Sequence, residues 1–119
     1  MDATLAKKLQ LKPGQALSVY HAPEGLDLDT PAAPGDAGAP ATLGFITTFA
    51  EAEERVPPAV EAAAADELSW VAYPKAGKLD TDLNRDSLAA FMTARGVRPV
   101  RQVAIDDTWS ALRFRPATP

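Results

Sequence analysis

His21 is the only histidine in a chain of 119 residues that has no cysteine. Imidazole is the one side chain whose ordinary titration falls near neutrality, which makes His21 the first candidate for a general base. Glu24, three residues on, could share or orient its proton. Thr48 brings a hydroxyl, Tyr73 a phenol, and Lys75 an ammonium able to neutralise a phosphate or carboxylate. These five residues form the candidate ligand-binding set. A lone histidine at a strand end is more often a hydrogen-bonded structural residue, and a lysine just past a strand is usually solvated. No residue is therefore assigned a catalytic role.

Other chemistries are excluded by type or spacing. Without cysteine there is no disulfide and no thiolate metal site. Asp106-Asp107 places two carboxylates side by side, but a calcium loop needs further oxygen ligands; an Asx-type turn closed by Asp106 is the simpler reading, and no metal site is expected. The sequence contains no phosphate-binding Gly-rich loop ending in Lys-Ser/Thr, no dinucleotide fingerprint, no nucleophile elbow and no zinc motif.

The elements that must position the set follow from periodicity and punctuation. Leu5, Leu9 and Leu11 around Lys7-Lys8 suggest a short amphipathic helix stopped by Pro13-Gly14. Ala16–Tyr20 reads as a buried strand. From residue 22 to 41 four prolines and three glycines mix with acidic residues, which predicts an irregular loop that buries little apolar area. Thr42–Phe49 is a second strand. Thr48 and Glu51 have capping-box spacing for a helix running to about Asp66, which Pro57-Pro58 must kink or restart, because a mid-helix proline costs ~3 kcal/mol. Leu68–Tyr73 is apolar enough for a central strand. Asn84 or Asp82 caps a helix that buries Leu88, Phe91 and Met92 and ends at Gly96. Val97–Ile105 and Trp109–Phe114, joined by Asp106-Asp107-Thr108, read as an antiparallel hairpin in which Trp109 packs and Arg113 shares its face.

Strands alternating with helices imply parallel pairing and right-handed crossovers, with helices on both faces. The expectation is a single α/β domain over residues 1–119: a small Rossmann-like, mostly parallel sheet of about five strands with a C-terminal antiparallel hairpin. In such sheets ligands bind beyond the carboxyl ends of the strands. That places His21, Glu24, Thr48, Tyr73 and Lys75 along one edge.

Net charge is −4, unevenly spread: residues 1–69 carry 4 Lys/Arg against 11 Asp/Glu, or −7, and residues 70–119 carry 8 against 5, or +3. The basic half could serve a phosphate-bearing ligand, although a solvated surface is the commoner meaning of such clustering. An acidic chain repels nucleic acid at long range, so no nucleic-acid partner is expected. No apolar stretch nears the ~20 residues that span a bilayer, and no apolar segment follows Lys7-Lys8 as a leader would require. A cytoplasmic location without membrane contact is the expectation.

Two resemblances add to this. Leu11-Lys12-Pro13-Gly14, the strand Leu17–Tyr20 and the turn His21-Ala22-Pro23-Glu24-Gly25 resemble the opening of class I S-adenosylmethionine-dependent methyltransferases, and the final helix, strand and hairpin resemble that fold's C-terminal end. Aligned on Pro13-Gly14 and Gly25, the acidic strand position is Val19, and His21 and Pro23 replace the first two turn glycines that let backbone approach a cofactor. The implication is a retained fold with a lost cofactor site, so no cofactor is expected. The phrases Ala6-Lys7-Lys8-Leu9, Ala22-Pro23-Glu24-Gly25, Leu68-Ser69-Trp70-Val71-Ala72-Tyr73-Pro74-Lys75 and Ile105-Asp106-Asp107-Thr108-Trp109-Ser110-Ala111-Leu112-Arg113, in this order, are together similar to a small bacterial family known as domain of unknown function 3052. That family implies a relative without an assigned activity, and this chain departs from it in the shortened Ala22–Ala41 region.

Three readings of function follow. The leading one is a non-catalytic module that binds a small molecule or a protein on a degenerate methyltransferase-like fold. The alternatives are a small transferase-type enzyme using the His21/Lys75 strand-end edge, and a homodimeric structural or assembly partner joined through the exposed hairpin strand.

Overall fold

A computed structural model describes residue 9 and residues 17–21, 41–75, 78–79 and 81–117. Five strands and three helices follow one another: β1 (Leu17–Tyr20), β2 (Ala41–Phe45), α1 (Phe49–Arg55), α2 (Pro57–Ala64), β3 (Ser69–Pro74), α3 (Arg85–Thr93), β4 (Val97–Ala104) and β5 (Trp109–Pro116). The stretch 22–41, read from sequence as an irregular loop, lies outside the described residues except for Ala41, which opens β2; so does the helix read around Leu5 to Leu11 apart from Leu9.

Local chemistry accounts for the helix boundaries. Thr48 has an extended backbone and its hydroxyl accepts the Glu51 N–H at 3.2 Å, while the Glu51 carboxylate accepts the Thr47 N–H at 2.6 Å. Val56 closes α1 and opens α2, with Pro57 in the first turn where its missing N–H costs nothing. The double proline thus restarts the helix, as its position predicts. At the far end of α2, Asp66 takes the left-handed conformation (φ 59°), and the N–H groups of Asp66 and Glu67 donate back to Ala63 and Ala62. This is a Schellman stop with aspartate in the position glycine usually fills. Asn84 and Ser87 form a reciprocal capping box on α3, and Gly96 (φ 90°) follows its C-terminus.

The sheet order is β1-β2-β3-β5-β4. β1, β2 and β3 pair in parallel, whereas β5 is antiparallel to both β3 and β4. The α/β class stands, but the sheet is mixed rather than mostly parallel. The hairpin does not simply append an edge: β5 returns between β3 and β4, leaving β4 outermost. Side-chain content explains the choice. β5 buries Trp109, Ser110, Ala111, Leu112 and Phe114, using both faces, whereas β4 buries only Val97 and carries Arg98, Pro99, Arg101 and Gln102. A strand holding proline and charge suits an edge, where one side of its backbone needs no ladder partner. Between Pro99 and Arg101 the β4–β5 register slips by one residue, so Val100 has no counterpart.

Both faces of the sheet are packed. Ala52, Val56, Ala59, Ala63, Leu88 and Met92 from the helical layer meet Ile46, Val71, Tyr73, Leu112 and Phe114 on one face. The opposite face gathers Leu43, Phe45, Trp70, Ala72, Trp109 and Ala111 with Leu9, whose carbonyl accepts the Trp70 indole N–H at 3.0 Å. Among the described residues all three helices lie on the first face; the helix expected around Leu5 to Leu11, whose Leu9 packs on the second face, otherwise lies outside them. Alanines at the α2 contact let that helix approach closely enough for the buried Ser69 hydroxyl to donate to the Ala59 carbonyl at 2.7 Å.

Candidate functional site

The carboxyl ends of β1, β2 and β3 do lie side by side, in the register Tyr20–Gly44–Val71. The five candidate residues fare differently there. His21 is exposed and sits at φ 61°, a left-handed backbone that non-glycine residues adopt only at a cost. Glu24 lies outside the described residues. Lys75 is half-buried, and its backbone N–H donates to the Thr108 carbonyl at 2.7 Å, which brings the Asp106–Thr108 turn to the same edge. The register puts His21 level with Phe45 and Ala72, so Lys75 stands two interstrand spacings away (~10 Å) and three residues further along (~10 Å). No hydrogen bond or ion pair joins the two.

Thr48 and Tyr73 are held by the fold. The Thr48 hydroxyl is the helix cap already described. Tyr73 is only 3 % exposed and points into the helix-covered core, where its hydroxyl accepts from the Gln102 side-chain amide at 3.1 Å. Burial pushes its phenol above the usual range, opposed in part by a hydrogen bond with Ser110. It therefore lies beneath the sheet rather than at its edge.

At the end of β2, Asp82 and Thr81 make contacts that the sequence did not predict. The Asp82 carboxylate accepts the Phe49 N–H at 3.0 Å, at the start of α1, while the Thr81 hydroxyl donates to the Thr47 carbonyl and accepts the Leu83 N–H. With Glu51 on the Thr47 N–H, the protein's own carboxylates hold the amide hydrogens that an anionic ligand would seek at the end of β2. The sequence offered Asp82 as an alternative cap for α3; it caps α1 instead, from 33 residues away in the chain. Asp106 behaves as its spacing predicts, accepting the N–H groups of Thr108 and Trp109 at 2.8 and 2.7 Å. Among the described residues no group of three or more His, Cys, Asp or Glu could hold a metal.

A second constellation lies on the β4–β5 ribbon. Arg98 pairs directly with Arg115, and Arg101 with Arg113, so four guanidinium groups share one face, the face of Trp70 and Trp109. Arg98, Arg101 and Arg115 are exposed and Arg113 is half-buried. Asp66 meets Arg115 side-on through two hydrogen bonds of 2.9 and 3.1 Å, which holds its carboxyl below the ordinary range. Burial lowers the affinity of Arg113 for its proton, and the positive charges of Arg115 and Arg101 lower it further. In sequence the four arginines look scattered, because their alignment depends on strand pairing and on the slip at Val100.

Compared with family models, with curated proteins and with solved structures, the chain matches none. Among the described residues no helix is long and apolar enough to cross a membrane.

Proposed function

We propose that the chain is a small, non-catalytic binding module, related to the bacterial family of domain 3052 and built on a degenerate Rossmann-like, methyltransferase-type scaffold. The observation that carries this reading is that the chain's own Glu51 and Asp82 carboxylates take up the Thr47 and Phe49 N–H groups at the end of β2, donors that a nucleotide-binding sheet keeps open for its ligand. The scaffold part of the reading is supported by three parallel strands followed by a helix, a strand and an antiparallel return. A cytoplasmic setting fits a chain without cysteine.

The test is a thermal-shift and calorimetric screen of the wild type and His21→Ala against S-adenosylmethionine, adenine nucleotides and sugar phosphates. No ligand should depend on His21. Micromolar binding of S-adenosylmethionine, or steady turnover of any of these compounds, lost in His21→Ala would replace this reading with the enzyme. One observation favours that second reading: backbone strain at an exposed residue of a strand end is a common feature of active sites, and His21 has it.

A further inference from the structure

We propose that the backbone of Gly44, on the helix-covered face of β2, is the floor of a slot that admits a planar aromatic ring of a small-molecule ligand. This deepens the binding-module reading and rests on it, by naming the place used and the chemistry of the ligand.

Glycine inside a strand weakens it, and has a structural use there in three cases: a bulge or sharp bend, a left-handed backbone, or the close approach of another group. The first two do not apply. The register runs unbroken through Gly44 on both sides, with Tyr20 beside it on β1 and Val71 on β3. The positive φ values among the described residues belong to His21, Asp66, Leu79 and Gly96. The third case is not met by the fold itself: among the described residues no atom lies within 4 Å of the point where a Cβ on Gly44 would stand. Yet Gly44 is buried. Close-packed interiors hold few such gaps. Space that the fold shields and leaves empty over a bare backbone is room for a group from outside.

The walls select the occupant. Residues paired across neighbouring strands share a face, so Tyr20 and Val71 flank Gly44 on the helix-covered side, two interstrand spacings (~10 Å) apart. With no side chain between them, the gap is one strand wide. A flat ring can stand in it edge-on, with Val71 against one side and the Tyr20 ring against the other, where aromatic pairs gain from offset or edge contact. Val71 is 1 % exposed and Tyr20 38 % exposed, so the ligand enters past Tyr20 and stops against Val71. The helix layer sends no long side chain down from α2, whose buried residues are Ala59, Ala62 and Ala63. A saturated, puckered ring is thicker and fits the gap less well.

An amide-resolved NMR titration of the full chain with indole tests this, with cyclohexylmethanol as the puckered control. Indole should produce saturable shifts at the amides of Tyr20, Gly44 and Val71, and should bind more tightly than the control. In Gly44→Ala the added methyl takes up the floor without meeting the fold. That variant should melt at or above the wild-type temperature and bind indole roughly tenfold more weakly, the scale on which one methyl-sized group counts in an apolar pocket. A variant that melts clearly lower would deny the open space and overturn the proposal. So would the absence of saturable shifts, equal binding of cyclohexylmethanol, or unchanged indole binding in Gly44→Ala. Nuclear Overhauser contacts from the Gly44 α-protons to the chain's own residues 22–40 would show the space already taken, and would overturn it too. Turnover dependent on His21 would sink the non-catalytic reading while leaving the indole titration to stand or fall by itself.

Discussion

The two strands of the C-terminal hairpin have the same length, eight residues each, and opposite fates. Among the described strands β5 lies between two partners and sends side chains into both cores; β4 pairs with β5 alone and gives most of its side chains to solvent. The difference separates two uses of a strand. β5 holds the sheet together, and β4 presents a surface. Where the two meet on one face, Trp109 and Ala111 pack at the turn end while the arginines stand at the other, so core and charge share a single ribbon.

Substitutions can break or sharpen that contrast. The largest effect belongs to Trp109→Ala. Its indole is 6 % exposed and meets Phe45 edge-on, with ring centres 5.1 Å apart. Truncating such a residue costs ~3–5 kcal/mol through lost transfer energy and the cavity left behind. In a domain stable by ~5–15 kcal/mol, a urea melt should find the variant marginal. Val103→Ala, on the same face but on β4 and half-buried, should cost about 1 kcal/mol. Comparable losses for the two would erase the distinction between a central and an outer strand. Arg101→Gln should change stability by less than ~0.5 kcal/mol, with any shift upward because it relieves a like-charge pair. A clear loss would mean that the guanidinium is part of the core's support.

The smallest effect concerns Asp66. Its carboxyl is held low in the folded state by Arg115, so its contribution to stability is complete above the unfolded carboxyl's range and fades as pH falls through the folded value. In Arg115→Gln that acid-side dependence should flatten, and an NMR titration should find the Asp66 carboxyl moved back toward its ordinary range. The left-handed backbone gives an independent check: Asp66→Ala keeps the strain and loses the ion pair, so it should melt below Asp66→Gly, which loses the pair but relieves the strain.

Much of the local structure was legible in the sequence. The Thr48 and Asn84 caps, the helix restart at Pro57-Pro58 and the turn closed by Asp106 all depend on neighbours within a few residues, and the apolar, β-prone composition around Trp109 was enough to mark it as packed. What escaped depends on distant partners. That β5 rather than β4 lies inside is a competition between two hairpin strands for the edge of β3, settled by their relative apolar content. Asp82 reaches α1 only because the chain after β3 folds back over the end of β2. Tyr73 looked like a strand-end residue, yet alternation turns its side chain into the helical core. The arginine face needed the slip at Val100: Arg98 and Arg101, three apart, would otherwise point to opposite sides of the sheet.

The insertion of β5 between β3 and β4 also sets an order of events during synthesis. β4 leaves the ribosome first but has no partner until β5 follows, and β3 keeps an open side for the same interval. Neither antiparallel ladder can form before the chain has been made past Trp109, because both use β5, through contacts distant in sequence for β3 and local for β4. A nascent chain stalled in the Asp106–Thr108 turn would expose Trp70 and Val71 along an unpaired strand, the state most exposed to aggregation. The arginines and proline of β4, emerging before that pairing, give the waiting segment charge and a break in its donor pattern at the time it most needs them.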